Sequence, residues 1–305
     1  MSTAKEKYKA FIRENYVPIF YRGQYLDAVC DGKWDVVLYE EEGQITAIYI
    51  YMLKQKWSLR YIIQPRLCPY TGPLFFNPSD TQKAYVYLIK NLPKHHLLIQ
   101  DYFHSIPILD DSVGEKKNKI TYLIDRSVDI DSLWQQNSSK HRRIIRKAEK
   151  DLKYEIEDNV EVFLDFVDRT FRKRGKTVSN YPKVFQRLDN IIQPMSYRKI
   201  VKCTNENDVV VAMAYFINDE KWTYNFANGV IDDYSHFGMN LIMWNEIKAT
   251  LSTGRSFDFE GSMIPGIEAF FKRFRGSKTN YQSWYYSSNW MVDLLVKLKT
   301  SRGSQ

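Results

Sequence analysis

The sequence predicts a mixed α/β chain in two domains. Three observations carry that expectation: the length with its composition, strand and helix patterns spread along the whole chain, and a C-terminal half that reads strand, strand, strand, helix, strand. At 305 residues, 44% hydrophobic and 26% charged, the chain can bury one large core or two smaller ones. A disordered, collagenous or disulfide-stapled chain is excluded, and two domains suit the length better than one. The 22 tyrosines and 17 phenylalanines supply the packed faces of sheets, and 13 glycines and 10 prolines are few for a linker-rich protein.

In chain order, Tyr8 to Tyr16 reads as a short helix. Asp35 to Tyr39 and Gln44 to Leu53 read as strands around the acidic turn Glu40-Glu41-Glu42-Gly43, which makes a hairpin. Trp57 to Gln64 continues the β pattern, and Pro65 to Pro73 carries too much proline to sit inside a ladder, so it is expected as an ordered loop. A helix over Asp80 to Asn91, strands over Leu97 to Gln100 and Ile120 to Ile124, and a polar stretch at Asp110 to Asn118 complete the first half. The boundary is placed at residue 129.

From Ile130 a helical segment begins, with Asp131 as its expected N-cap and a restart near Ser138. Ile144, Ile145, Ala148 and Leu152 form one apolar stripe. Lys140, Arg142, Arg143, Arg146 and Lys147 decorate the rest, either as a solvated basic face or as a phosphate-contacting surface. Helices over Val160 to Arg174 and Tyr181 to Ile191 follow, then strands over Tyr197 to Cys203, Val209 to Ile217 and Lys221 to Asn228. The helix Gly238 to Ser252 places Leu241, Trp244, Ile247 and Leu251 on one face and stops at Gly254. It returns the chain to a parallel strand, Ser256 to Glu260, before a helix at Pro265 to Phe274 and a last strand at Tyr281 to Tyr286.

The formal net charge of +8 suits a phosphate-bearing ligand, an anionic surface or plain solubility. Cys30, Cys68 and Cys203 lie far apart with no CxxC spacing, so neither a disulfide framework nor a zinc knuckle is expected, and a cytoplasmic location is the default. The longest apolar run is the nine residues VVVAMAYFI at 209 to 217, too short for a membrane span. The five histidines show no HExxH spacing, so no metal site is expected. GxSxG, GxGxxG and GxxxxGK[ST] patterns are absent, which disposes of the common hydrolase, dinucleotide and P-loop readings.

Several runs, taken together, carry a family resemblance: Tyr234-Ser235-His236-Phe237-Gly238-Met239-Asn240, the Trp244 helix, Phe257-Asp258-Phe259-Glu260-Gly261-Ser262 and Phe270-Phe271-Lys272-Arg273-Phe274-Arg275-Gly276. They resemble the C-terminal module of FemAB-like transferases within the GNAT acyltransferase superfamily, and Ser138 to Ala148 resembles the basic helix that precedes it. The resemblance is best over 131 to 287. It implies an α/β (α+β) fold of two tandem GNAT-like domains, each a mixed β-sheet flanked by helices. Residues 1–129 are then a degenerate domain with the C-terminal helix 289–305 packed on it, and 130–288 the transferase domain. It also implies transfer of an acyl or aminoacyl group from acyl-CoA or aminoacyl-tRNA, as co-substrate and not as a permanently bound cofactor, to an amine acceptor such as a peptidoglycan precursor. The alternative is a catalytically silent module that binds RNA or an anionic ligand. The family's donor loop has the form [QR]xxGx[GA]; here Ser235 and Asn240 depart from it and Gly238 agrees, which weakens coenzyme A. Lys272 stands one residue later than the lysine of the family's FKxxFG segment.

Acyl transfer to an amine needs a proton acceptor, donors for the developing oxyanion and an acid for the leaving group. In the GNAT arrangement two parallel strands splay apart and free backbone N–H groups for the donor carbonyl, which brings Asn225, Phe226, Ala227 and Asn228 beside Asp258 to Gly261. Asp258 and Glu260 are expected on one strand face, as proton acceptor and orienting group, or else paired with Arg255, Lys272 or Arg273. Gly261 permits close approach, or marks a turn. His236, Gly238, Asn240 and Lys272 complete the expected donor site. Tyr281 and Tyr285 are candidate acids, and Lys140, Arg142, Arg143, Arg146 and Lys147 the nucleic-acid surface.

Overall fold

A computed structural model of the chain describes residues 3–106, 115–173, 181–231, 237–261, 263–288 and 292–293. The chain divides into two compact units, residues 1–119 with 280–305, and residues 120–279. Both boundaries therefore fall earlier than expected, and strand pairing is the reason. Leu123 and Ile124 ladder with Asp258 and Phe257 in the second unit, whereas Ser283 to Ser287 ladder with Leu97 to Asp101 in the first.

The first unit contains α1 (Ala4–Glu14), α2 (Gly23–Cys30), β1 (Asp35–Glu41), β2 (Gln44–Tyr51), β3 (Leu53–Lys56), β4 (Leu59–Ile63), β5 (Gly72–Phe75), α3 (Thr81–Lys90), β6 (Leu97–Asp101) and the start of β7 (Glu115–Ile124). α1 opens on a capping box of Thr3 and Glu6, and Asp80 caps α3 by accepting from the Lys83 amide. The β1–β2 turn places Glu42 and Gly43 at φ 50° and 78°, as tight hairpins of right-twisted strands require. β5 joins β2 inside the segment expected to be a loop. Its proline is tolerated because β5 is an edge strand of the order β1–β2–β5. Residues 115–118, expected as polar loop, begin β7, and 107–114 lie outside the described residues. A second ladder runs β3, β4, β6 and the returning strand.

The second unit continues from β7 with α4 (Ile130–Gln136), α5 (Ser139–Asp151), β8 (Lys153–Glu157), α6 (Val160–Lys173), α7 (Tyr181–Ile192), β9 (Arg198–Thr204), β10 (Val210–Asn218), β11 (Trp222–Val230), α8 (Gly238–Ser252), β12 (Ser256–Asp258), α9 (Pro265–Phe271), a 3-10 turn over Lys272–Phe274 and the start of β13 (Ser277–Ser287). Its strands run in the order β7–β12–β11–β10–β9–β8. All neighbours are antiparallel except β11 and β12. The apolar run at 209 to 217 is explained by position: β10 is central and helices cover both of its faces, so no alternation is needed. Ala212, Ala214 and Phe216 pack with α8 residues Leu241, Ile242 and Ile247, while Tyr215 meets Phe163 of α6 and Phe185 of α7.

The helix near 130 is two helices. Asp129, not Asp131, caps the first through the Ser132 amide, and Ser138 caps the second through the His141 amide. β8 was hidden because KYEIE follows directly on the basic helix and occupies the sheet edge. No helix among the described residues is long and apolar enough to cross a membrane.

Candidate active site

The parallel ladder of β11 and β12 consists of Trp222↔Ser256, Thr223↔Phe257 and Tyr224↔Asp258, and there it stops. β11 runs on to Val230, with no strand beside that edge among the described residues. On its other edge Tyr215 pairs with Ala227 and Phe216 with Asn225, leaving Phe226 as the extra residue of a bulge, a device that bends a strand and re-aims its groups. A cavity of about 530 Å³ opens at this point, lined by Asn225, Phe226, Ala227 and Asn228 of β11 and by Phe259, Glu260 and Gly261 beyond β12. The four β11 residues and the Glu260 turn thus meet as the parting of two parallel strands predicts.

The two carboxylates have separate places. Asp258 ends β12, is fully buried, and accepts from Thr121 Oγ1 at 2.6 Å and from the Glu260 amide at 2.8 Å. Glu260 does not share its strand face: it lies past the strand end at φ 56°. Asp258 therefore pins the turn, and Glu260 forms part of the cavity wall. Glu260 as a residue is half-buried, but its Oε1 is sealed from solvent with no hydrogen-bond partner. Burial, with the neighbouring Asp258 second, pushes the carboxyl well above the usual carboxylate range, which favours its protonated form. Lys272 is not its partner, being 2.9 Å from Glu268; that ion pair raises the lysine above its ordinary value. Arg273, one residue on, is the basic residue that lines the cavity.

Gly261 is required by the backbone. At φ 58° a Cβ there would lie 2.2 Å from the Ile120 carbonyl oxygen, so the close approach it permits is to β7. Gly238 serves packing: a Cβ would meet Ala212 Cβ at 2.8 Å, and the glycine lets α8 settle on β10. Asn240 is fully buried and its Oδ1 is 2.8 Å from His141 Nε2. The other ring nitrogen of His141 is 3.0 Å from the Arg273 carbonyl. Burial holds the imidazole below its ordinary value, and the contacts of its two ring nitrogens bring α5, α8 and the 3-10 turn together. No periodic pattern along the chain signals that role. Neither Gly238 nor Asn240 lines the Glu260 cavity. His236 lies outside the described residues, as do Asp232 to Ser235.

Tyr281 and Tyr285 belong to the first unit. Tyr281 packs edge-on against Tyr70 at 5.4 Å. Tyr285 donates to Asp293 at 2.7 Å, and its phenol is pushed up to about 12 by burial and by that carboxylate. On α5, Arg142 donates to the Gln135 carbonyl at 2.8 Å, closing the C-terminus of α4. Arg146 lies over the Trp134 ring and Lys147 over the Phe237 ring. Lys140 and Arg143 are exposed. The basic face is therefore partly used in packing its own unit.

No protein-family model matches the sequence, and no curated protein matches it. Among solved structures, the chain is similar to FemX at 10% identity, with 98% of each chain covered and a TM-score of 0.68. The chain has the fold of FemX. It is also similar to the C-terminal domain of a putative lysylphosphatidylglycerol synthetase from Agrobacterium fabrum, at 12% identity over 97% of this chain and 94% of that one, TM-score 0.57. A third similar structure is L-PGS from Bacillus licheniformis, at 11% identity over 97% and 96%, TM-score 0.57. The expected mixed α/β fold is borne out, and it is the fold of FemX.

Proposed function

We propose that the chain is an acyltransferase that moves an acyl or aminoacyl group from an activated donor to an amine. The observation that carries this reading is the cavity where β11 leaves β12, lined by the bulged segment Asn225–Asn228 and by Glu260, whose Oε1 is sealed and without a hydrogen-bond partner. The fold shared with FemX supports it as an analogy of fold.

The chemistry asks little of the protein beyond position and proton handling. Backbone N–H groups of the bulged strand hold the donor carbonyl and stabilise the oxyanion that forms when the amine attacks. In its protonated form the Glu260 carboxyl gives its proton to the leaving sulfur or oxygen as the carbon–heteroatom bond breaks, and collects one from the nitrogen as the amide forms. Asp258 is a positioning residue that fixes the Glu260 turn through the Glu260 amide. Acyl-CoA and aminoacyl-tRNA are the two donors to be tried. The purified chain, incubated with each donor and a panel of amines, is expected to form an amide that depends on the donor. If no donor yields an amide, and tRNA or another polyanion binds without turnover, the binding-module reading replaces this one.

A further inference from the structure

The cavity beside Glu260 is walled mostly by apolar side chains, among them Val167, Phe226, Val230, Met239, Phe259 and Phe270. At its wall Phe171 and Ile267 are 37% and 40% exposed, and the turn into α9 adds Met263 and Ile264 at 59% and 58%. Large apolar side chains left in water beside an apolar cavity mark a surface that an apolar ligand covers. Glu260 is the one carboxyl among the described lining residues, and Arg273, itself exposed, is the one basic residue among them. We infer that the group carried in this cavity is the uncharged, apolar body of an acyl chain, aliphatic or aromatic, with its carbonyl at Asn225–Asn228, and not a cationic aminoacyl group. The inference rests on the acyl-transfer reading and narrows it. An apolar chain gains by leaving water for such walls. An ammonium there loses its hydration among apolar side chains, with a single carboxyl that burial disfavours as the charged form and the like charge of Arg273 at the rim.

The test is binding, measured by titration calorimetry with two unreactive amides of equal length, N-methyloctanamide and its 2-amino analogue, whose ammonium stands where that of an aminoacyl group does. Neither has a leaving group, so the result does not depend on turnover. The neutral amide is expected to bind the wild-type chain at least about tenfold more tightly. Phe171→Glu with Ile267→Glu is expected to weaken the neutral amide by about tenfold or more and to narrow or reverse the preference, because two carboxylates then line the wall. Phe171→Leu with Ile267→Leu retains the preference, and melting temperatures check that each variant folds. If the glutamate pair does not fold, the wild-type ratio and the leucine pair decide. The inference is overturned if neither amide binds, if the amino analogue binds as tightly as the neutral one, or if the neutral amide binds wild type and a folded glutamate pair alike. Selective binding without amide formation in the transfer assay would remove the reaction and leave the apolar ligand; amide formation without selective binding would do the reverse.

Discussion

Two sealed polar groups, one in each unit, are treated differently. In the first unit Gln100 is fully buried, accepts from the Tyr49 hydroxyl at 2.6 Å, and donates to Thr71 Oγ1 at 2.9 Å and the Ile50 carbonyl at 3.2 Å. Tyr102 joins the same cluster through the hydroxyls of Tyr49 and Tyr85. In the second unit Glu260 Oε1 is equally sealed and has no hydrogen-bond partner. A satisfied buried network holds a fold together, while an unsatisfied polar group at a cavity wall costs stability and is retained where a ligand completes it. The contrast sets a group that the fold uses beside a group of the candidate site.

The largest test of that contrast is Glu260→Gln, which keeps the shape and removes the proton. Amide formation is expected to fall by about 10²–10⁴-fold, with little loss of stability in thermal unfolding at neutral pH. The same substitution reads the carboxyl's titration. Because the folded value is raised, the unfolded chain gives up its proton first as pH rises, so this group weakens the wild-type fold from the ordinary carboxylate range up to the raised folded value. The wild-type melting temperature is expected to fall relative to Glu260→Gln as pH rises from the ordinary carboxylate range towards the raised folded value; a constant difference would show that Glu260 ionises normally.

Gly261→Ala comes next. The new Cβ has no room beside the Ile120 carbonyl and the positive φ disfavours it, so a loss of about 3 kcal/mol is expected in denaturant unfolding. A stable variant would show that the turn has slack. On the structural side, Gln100→Leu leaves the Thr71 and Tyr49 hydroxyls and the Ile50 carbonyl without that partner, and a loss of about 2 kcal/mol is expected by the same measurement. Since Gln100 belongs to the other unit, the remaining folded protein should keep its amide-forming rate, and a specific loss of rate would erase the distinction.

The smallest expected effect concerns the donor. Arg142→Glu with Arg146→Glu is expected to weaken tRNA binding by about tenfold and lower its salt slope by about one for each phosphate no longer neutralised. Acetyl-CoA affinity, read by calorimetry, should hardly change. Filter binding that gives the same tRNA affinity in the double variant would make α5 a packing helix, the role its interactions with Gln135 and Trp134 already give it.

Where periodicity was long and unbroken, the fold was legible: β10 as a continuous apolar run, and α8 stopped at Gly254, which sits at φ 71°. Short or edge elements were not. β3 and β8 have four and five residues, and α2 has eight without a side-chain N-cap, so each carries too few turns or alternations to stand out. The candidate site was legible as two nearby strand ends. Its internal division was not, because period-two reasoning carried Glu260 along β12 past the point where the backbone turns to φ 56°.

By itself the sequence determined the α/β class, the central strand and the crossover helix, since these follow from local patterns and the rules for joining parallel strands, while the meeting of Asn225–Asn228 with the Glu260 segment was implied by the family resemblance. Only the tertiary structure decided which polar groups are satisfied. Thr121 reaches Asp258 across 137 residues of chain, His141 reaches Asn240 across 99, and the carbonyl that forbids a side chain at residue 261 comes from Ile120. Tyr281 and Tyr285 were placed in the first unit by the pairing of their strand with β6. Desolvation and hydrogen-bond satisfaction depend on whatever folds against a residue, and no window along the chain contains those neighbours.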